Sequence, residues 1–353
     1  MQEEAALDPA QGPCVAVVGA GGHTGRFVVA ELLRRDLSVV AVGRSAQPLA
    51  SLDPRVERRE ADVWDPARLT EALAGVPVVI NCAGPFLDTA DAVVRATLRA
   101  GAHYLDVTAE QASAAATLAE FDAPARAAGV RVVPGMGFFG GLADLIVTIA
   151  ADQLGPLEDV EIAIALDSWH PTAGTRATGR RNTVRRQIIR GACLVPVEAE
   201  RGRRRIVFGP PFEVQPVTVV PFSEMPLIHR HIEVDQVTTW LADRALADVL
   251  DEATPAPVAA DDSGRSCQQF QVQVRAQSGG WTQMIRVEGR DIYAVTAPLV
   301  VEAAVRILDD DRVGAFAPGE LFDARAFLTS LSPDALQLEV MEPRPAAELD
   351  DAR

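Results

Sequence analysis

The stretch that most narrows the fold is Cys14 to Ser45, in which the apolar run Val15-Ala16-Val17-Val18 stops at Gly19-Ala20-Gly21-Gly22. An amphipathic segment follows, with Phe27, Val28, Leu32 and Leu33 apolar, and then a second apolar run, Val39 to Val42. Strand, glycine turn, helix and strand within about thirty residues form the unit that binds a dinucleotide. Gly19 allows the tight turn off the strand. Gly21 or Gly22 lets backbone approach a pyrophosphate where a Cβ would collide, and Gly25 lets the helix lie close on the sheet. The anion then rests on free N–H groups at the positive end of the helix, beside His23 and Thr24.

The end of the second strand refines the nucleotide. A carboxylate there would grip the ribose 2′-hydroxyl of NAD, whereas an arginine suits the 2′-phosphate of NADP. This chain has Gly43-Arg44-Ser45 and no acid. Arg44 offers a planar, permanently charged fork and Ser45 a hydroxyl, so NADP(H) is the expected cofactor. The competing reading makes Arg44 a solvated loop residue.

With 353 residues the length points to two domains and ample core. A formal charge of −16 argues against a general role on nucleic acid or an anionic membrane. No segment approaches the roughly eighteen unbroken apolar residues that span a bilayer. The first residues, MQEEAALDPAQG, are acidic without an apolar core, so no signal peptide is read there and the cytoplasm is the expected compartment. Cys14, Cys82, Cys193 and Cys267 are too scattered for a zinc site or a redox dithiol. The chain contains no lysine, which excludes Schiff-base catalysis by a lysine and a lysine general base.

Further strands are expected at 56–63 and 76–86, at 103–110 together with its exit loop, and at 130–138 leaving by a glycine-rich loop, alternating with helices, so residues to about 138 form one doubly wound parallel (Rossmann) sheet in an α/β fold. Asp62 and Val63 fall where an adenine ring is bracketed, and Asn81-Cys82-Ala83-Gly84-Pro85 at the carboxyl end of a buried strand, where ligands bind. Beyond Gly140 the pattern changes to α+β. The alternation of 160–166 predicts an antiparallel strand with one wet face. Residues 171–191 are expected to be helical in their later part, with β segments at 205–208, 217–220, 228–234, 270–275 and 282–287. A loop is expected at 251–266 and a strong apolar helix at 293–308. Residues 1–12 and 342–353 are expected to be tails.

The blocks VVGAGGHTGRFVVAELLRR, VVINCAGPF, AGAHYLDVTAEQ and YAVTAPLVVEAAVRIL with GAFAPGEL resemble the saccharopine dehydrogenase-like oxidoreductases, including the trans-acting enoyl reductase branch. The resemblance covers most of the chain and is loose over 165–265. It implies a nucleotide domain of 13–139, an inserted substrate and dimerisation domain of 140–291, and a segment 292–341 that returns to the first domain. It also implies NADPH-dependent hydride transfer in a cleft between the two, to an imine (C=N) or an enoyl (C=C) acceptor. By the same resemblance Asn81 and the backbone around Gly84 line the ribose or nicotinamide. The family often writes glycine where this chain has Ala109.

For the chemistry itself, Asp106, Thr108 and Glu110 leave a strand at its carboxyl end, with Asp106 and Thr108 on one face. They either serve catalysis or cap helices and bond within the loop. Tyr104 is either a proton donor or a core aromatic with its hydroxyl paired. Phe138 and Phe139 could shape an apolar acceptor site beside a flexible glycine-rich connection, 135–141. From Arg176 to Arg205 there are ten arginines and two acids. Arg176 and Arg180 head three i,i+4 pairs that repel unless anions compensate. They pair with the acidic remainder of the protein, bind a substrate carboxylate or phosphate, or dock an acidic carrier or coenzyme A. His229 and His231 would share a strand face but lack a third metal ligand. The expected partners are thus a small or carrier-bound substrate and a second copy of the chain. A rival class of function is an NADP(H)-binding redox sensor or scaffold without turnover.

Overall fold

The computed structural model describes residues 12–198 and 202–347. Apart from Gly12, which opens the first strand, the expected N-terminal tail lies outside them, as do 348–353. The chain begins β1 (Gly12–Val18), α1 (His23–Arg34), β2 (Leu37–Gly43), α2 (Ala46–Ala50), β3 (Glu57–Glu60), α3 (Pro66–Ala72) and β4 (Val78–Asn81). It continues through α4 (Phe86–Arg99), β5 (His103–Asp106), α5 (Gln111–Ala128) and β6 (Arg131–Val133) to α6 (Gly141–Leu154) and β7 (Leu157–Leu166). Next come α7 (Ala173–Arg181), β8 (Gln187–Arg190), β9 (Cys193–Pro196), β10 (Arg203–Val207), β11 (Val214–Val219), α8 (Glu224–His231) and β12 (Val234–Ala242). Then α9 (Asp243–Leu250), β13 (Gln269–Ser278), β14 (Trp281–Arg290), α10 (Thr296–Arg306) and β15 (Gly314–Ala315) follow. The last elements are α11 (Pro318–Leu321), α12 (Ala324–Leu331), β16 (Gln337–Val340) and β17 (Arg344–Pro345).

The first sheet is parallel throughout, in the order β15-β6-β5-β4-β1-β2-β3. Its central strands are covered on both faces, which is why they read as unbroken β-branched runs: Val78, Val79 and Ile80 are fully buried. Strand order reverses between β1 and β4, so a crevice opens at their carboxyl ends. The second sheet is mixed, in the order β10-β11-β12-β7-β13-β14-β16, with β17 on β14 and the β8–β9 hairpin on β12. The chain is thus an α/β protein with a doubly wound parallel sheet and a second α+β unit.

Several expectations are corrected here. β7 pairs in parallel with β12 and antiparallel with β13, and its second half is buried on both faces instead of having one wet side. Residues 224–231 form helix α8, where a strand was expected from 228, with Glu224, Leu227 and Ile228 buried at the i, i+3, i+4 spacing of one helix face. His229 and His231 therefore stand on a helix. The helix in 171–191 occupies the early part, capped by the Thr172 side chain on the Thr175 N–H, and the later part is β8. Only Arg176 and Arg180 thus share a helix as an i,i+4 pair. Residues 337–340 and 344–345 extend the second sheet through β14, so neither returns to the first sheet nor frays as a tail.

The connection 135–141 is buried and bonded, not slack. Gly135 and Met136 donate their N–H groups to Asp106, and Gly141 donates back to the Gly135 carbonyl. It leads into α6, whose residues Gly141 to Ala150 are all buried against the second sheet and the late helices. The charged group among them, Asp144, is fully buried. It sits 2.9 Å from His231 Nε2 on α8 and accepts the Gly319 N–H of α11 at 2.7 Å. Burial opposes the His231 imidazolium, but Asp144 beside it prevails and the group is raised above its ordinary 6.5. A raised histidine contributes stability that is full below its unfolded value and lost as pH rises through the folded one. His231→Gln is therefore expected to cost on the order of 1 kcal/mol near pH 6 and clearly less at pH 9, measured by urea denaturation.

Candidate functional site

The glycine turn is built by close approach. Gly19 has φ of 79°, and a Cβ there would fall 2.9 Å from the Ala83 nitrogen. A Cβ on Gly25 would fall 2.3 Å from the Gly19 oxygen, so α1 can lie this close to the turn only without one. The open side of Gly21 is occupied by Pro48, which leaves Gly22 as the position facing outward. Gly22 caps α1 with no side-chain hydrogen bond, and no acid stands in the first turn. N–H groups there are available to an anion, and the fit to a pyrophosphate is good. Thr24 follows in the same turn. Arg44 and Ser45 are exposed at the end of β2, and Asp62 and Val63 stand just past β3, its hydrogen-bonded neighbour.

Beneath the strand ends lies a hub. Asp106, fully buried, accepts from Thr108 N at 2.9 Å, Gly135 N at 2.8 Å and the Tyr104 hydroxyl at 2.8 Å. Asn81 Nδ2 donates to the Tyr104 hydroxyl at 3.2 Å, and Asn81 Oδ1 accepts Ala83 N at 2.9 Å. Three neighbouring strands, β4, β5 and β6, are thereby joined at their exits. Burial pushes Asp106 up to about 6, against the pull of its donors, and raises the Tyr104 hydroxyl well above its usual range. Thr108 is buried too, accepting Glu110 N at its hydroxyl and the Ser223 hydroxyl at its carbonyl. Glu110 accepts Phe86 N at 2.8 Å and Leu87 N at 3.2 Å, so it caps α4 from outside while burial raises it.

A cavity of about 740 Å³ opens above this hub. The first sheet supplies Thr24, Cys82, Gly84, Glu110 and Phe138 to its floor, while Asp106, Tyr104, Thr108 and Asn81 lie below and do not line it. Burial pushes the Cys82 thiol up to about 12, so it stays protonated. The wall is aromatic: Phe139 stacks on Phe222 at 4.1 Å and lies 5.0 Å from Trp169. Helix α7 brings Arg176, Thr178 and Arg180, and α9 brings Leu246, Val249 and Leu250. Arg176 is engaged with the Thr254 carbonyl at 2.6 Å. Arg181 and Arg190 pair with Asp88 and Glu198, and Arg204 with Glu161, while Arg185 and Arg186 turn to the Val197 and Pro221 carbonyls.

Tyr293, just before α10, was hidden in the sequence inside an apolar helix pattern. Its hydroxyl meets Trp169 Nε1 at 3.0 Å, Thr172 N at 3.4 Å and Thr175 Oγ1 at 2.9 Å. Its ring lies edge-on to His23 at 5.2 Å. His23 Nε2 is buried with no hydrogen-bond partner among the described residues, and burial lowers the ring's basicity. The glycine turn is thus joined through one tyrosine to the start of α7. Trp169 and Phe222 carried no periodic signal, since they sit on loops.

Residues 15–133 match the model of the saccharopine dehydrogenase NADP-binding domain. That stretch, about a third of the chain, is what the chain shares with the saccharopine dehydrogenase-like proteins. The chain's first domain is an NADP(H)-binding domain. A Caenorhabditis elegans protein named lipid droplet localized protein is 29% identical over 217 residues, 52% of this chain and 51% of that one. The human saccharopine dehydrogenase-like oxidoreductase is 27% identical over 176 residues, 44% and 41% respectively. The matches thus span about half the length of these relatives, or less. The apo L-Glu-forming saccharopine dehydrogenase of Saccharomyces cerevisiae superposes with a TM-score of 0.64 at 14% identity, over 94% of this chain and 100% of that one. That likeness is one of fold. Among the described residues, no helix is long and apolar enough to cross a membrane.

The hub has a measurable signature. A carboxylate whose folded pKa is raised binds more protons in the folded state, so its ionisation destabilises the fold as pH rises from about 4 towards 6. Relative to Asp106→Asn, the natural protein is therefore expected to gain stability between pH 7 and pH 5, read as a difference in Tm. A parallel pH dependence in the two proteins would refute this account of Asp106.

Proposed function

We propose that this protein is an NADPH-dependent reductase that passes hydride to an imine or enoyl acceptor seated in the cavity over β4, β5 and β6. The observation that carries the reading is the cavity itself. One body of space touches the glycine-loop residue Thr24, the strand-end residues Cys82 and Gly84, and an aromatic wall from the second sheet's side. NADPH, when bound, supplies the hydride, and the protein's task is to hold, orient and exclude water.

In this reading the Gly22–Gly25 turn holds the pyrophosphate and Arg44 with Ser45 the 2′-phosphate. Asp62 and Val63 flank the adenine, and Cys82 to Pro85 border the nicotinamide ribose. Glu110 faces the acceptor and holds the proton to be delivered, while Asp106, Thr108 and Tyr104 act as positioning residues beneath it. Phe138 and Phe139 shape the acceptor site. A homodimer, a small or carrier-bound substrate and a cytoplasmic site of action belong to the same proposal. Support for the proton role is that Glu110 lines the cavity and that burial raises its carboxyl above the usual range, against the pull of the Phe86 and Leu87 N–H groups.

Loss of NADPH absorbance should follow addition of imines or enoyl thioesters from a panel. In Glu110→Gln the kcat is expected to fall roughly 100-fold with NADPH affinity almost unchanged. Tight NADPH binding with no acceptor consumed would sink the enzymatic reading in favour of a redox sensor. For cofactor choice, Arg44→Ser should weaken NADP+ roughly tenfold or more and leave NAD+ binding as it was, by calorimetry.

A further inference from the structure

The reductase reading leaves the acceptor open, and the following rests on that reading. The charged residues lining the cavity are Glu110, Glu252, Arg176, Arg180 and Arg186. Arg176 is committed to the backbone carbonyls of Asp251 and Thr254. Arg186 donates to the Pro221 carbonyl and lies 4.8 Å over the Phe222 ring. Arg180 is exposed, and no hydrogen bond or ion pair engages it among the described residues. Of the three guanidiniums on the lining, Arg180 is thus the one placed to meet an anion at the open side of the cavity.

The uncharged wall points to the rest of the ligand. Phe139, Trp169 and Phe222 form a continuous aromatic surface, and Val220 and Leu241 extend it. Along α9, Leu246, Val249 and Leu250 also line the cavity, yet Leu250 is 71% exposed and Ala245 is the buried residue of that helix. The apolar lining thus runs from the strand ends to solvent. An apolar surface left open at the rim of a cavity marks a binding path.

We infer that the cavity takes an acceptor with a long apolar chain and an anionic end, the chain lying on the aromatic wall and under α9, the anion at Arg180. A fatty carboxylate supplies its own carboxylate there and an acyl coenzyme A one of its phosphates, and the two are separated in the test. The full-length protein, saturated with NADP+, is titrated calorimetrically with hexanoate, octanoate, decanoate and dodecanoate, with the matching acyl coenzyme A series, and with saccharopine as a polycarboxylate. In one series or both, affinity should rise about two- to fourfold per added methylene. Saccharopine should bind at least tenfold more weakly than the longest chain. Leu250→Asn, at an exposed position, should flatten the slope without changing Tm or NADP+ affinity. Arg180→Gln should remove the salt dependence of binding.

If the longest carboxylate binds and the longest thioester does not, the anion is the chain's own. The reverse result assigns it to the carrier. A slope of zero in both series, or saccharopine binding as tightly as dodecanoate, overturns the inference. Failure of the reductase reading has a different mark: chain binding with the expected slope, but no NADPH consumed by any acceptor.

Discussion

Much of this structure depends on one buried carboxylate. Among the described residues Asp106 pairs with no cation and is held instead by two backbone N–H groups and a phenol hydroxyl. Each donor belongs to a different part of the strand-end platform, so a single side chain fixes the exits of β5 and β6 and, through Tyr104 and Asn81, of β4. Loops leaving a parallel sheet have no ladder to hold them, and this network replaces one. The same residue closes the 135–141 connection onto the sheet, which sets where α6 begins. The geometry of the cavity floor follows from that anchor.

The second sheet contributes a wall of contrasting chemistry. Its strands present large apolar side chains toward α6, and the loops at their ends carry Trp169 and Phe222 to the cavity. Polar anchoring below and aromatic surface above is the division of labour expected of a small-molecule site. The yeast saccharopine dehydrogenase has the same fold at 14% identity. Trp169 and Phe222 of the wall lie in the stretch where the resemblance in sequence is loose.

The first domain was legible in the chain because parallel strands buried on both faces leave uninterrupted runs, and the glycine spacing has a steric cause in Gly19 and Gly25. The second was harder for identifiable reasons. Residues 224–231 mix proline and histidine with Leu227 and Ile228, and only packing against α6 and α5 makes them helical. β7 is part-exposed at its start but covered on both sides later, so its pattern suggested a wet face and gave no sign of the parallel neighbour β12 beside the antiparallel β13. At the site, Glu110, Phe138 and Phe139 were readable from their place after strands. Asp106, Thr108 and Tyr104 were readable as a cluster, whereas their position below the cavity was not. Tyr293 meets Trp169 across 124 residues, and Phe222 and Trp169 meet Phe139 from other elements, which no local pattern carries.

Tyr293 touches both His23 of the glycine turn and the first residues of α7. Any occupant of the turn that shifts His23 must also disturb the tyrosine ring, and with it the helix that borders the cavity. Thermodynamic linkage then works in both directions: whatever factor the coenzyme applies to the acceptor's affinity, the acceptor applies to the coenzyme's.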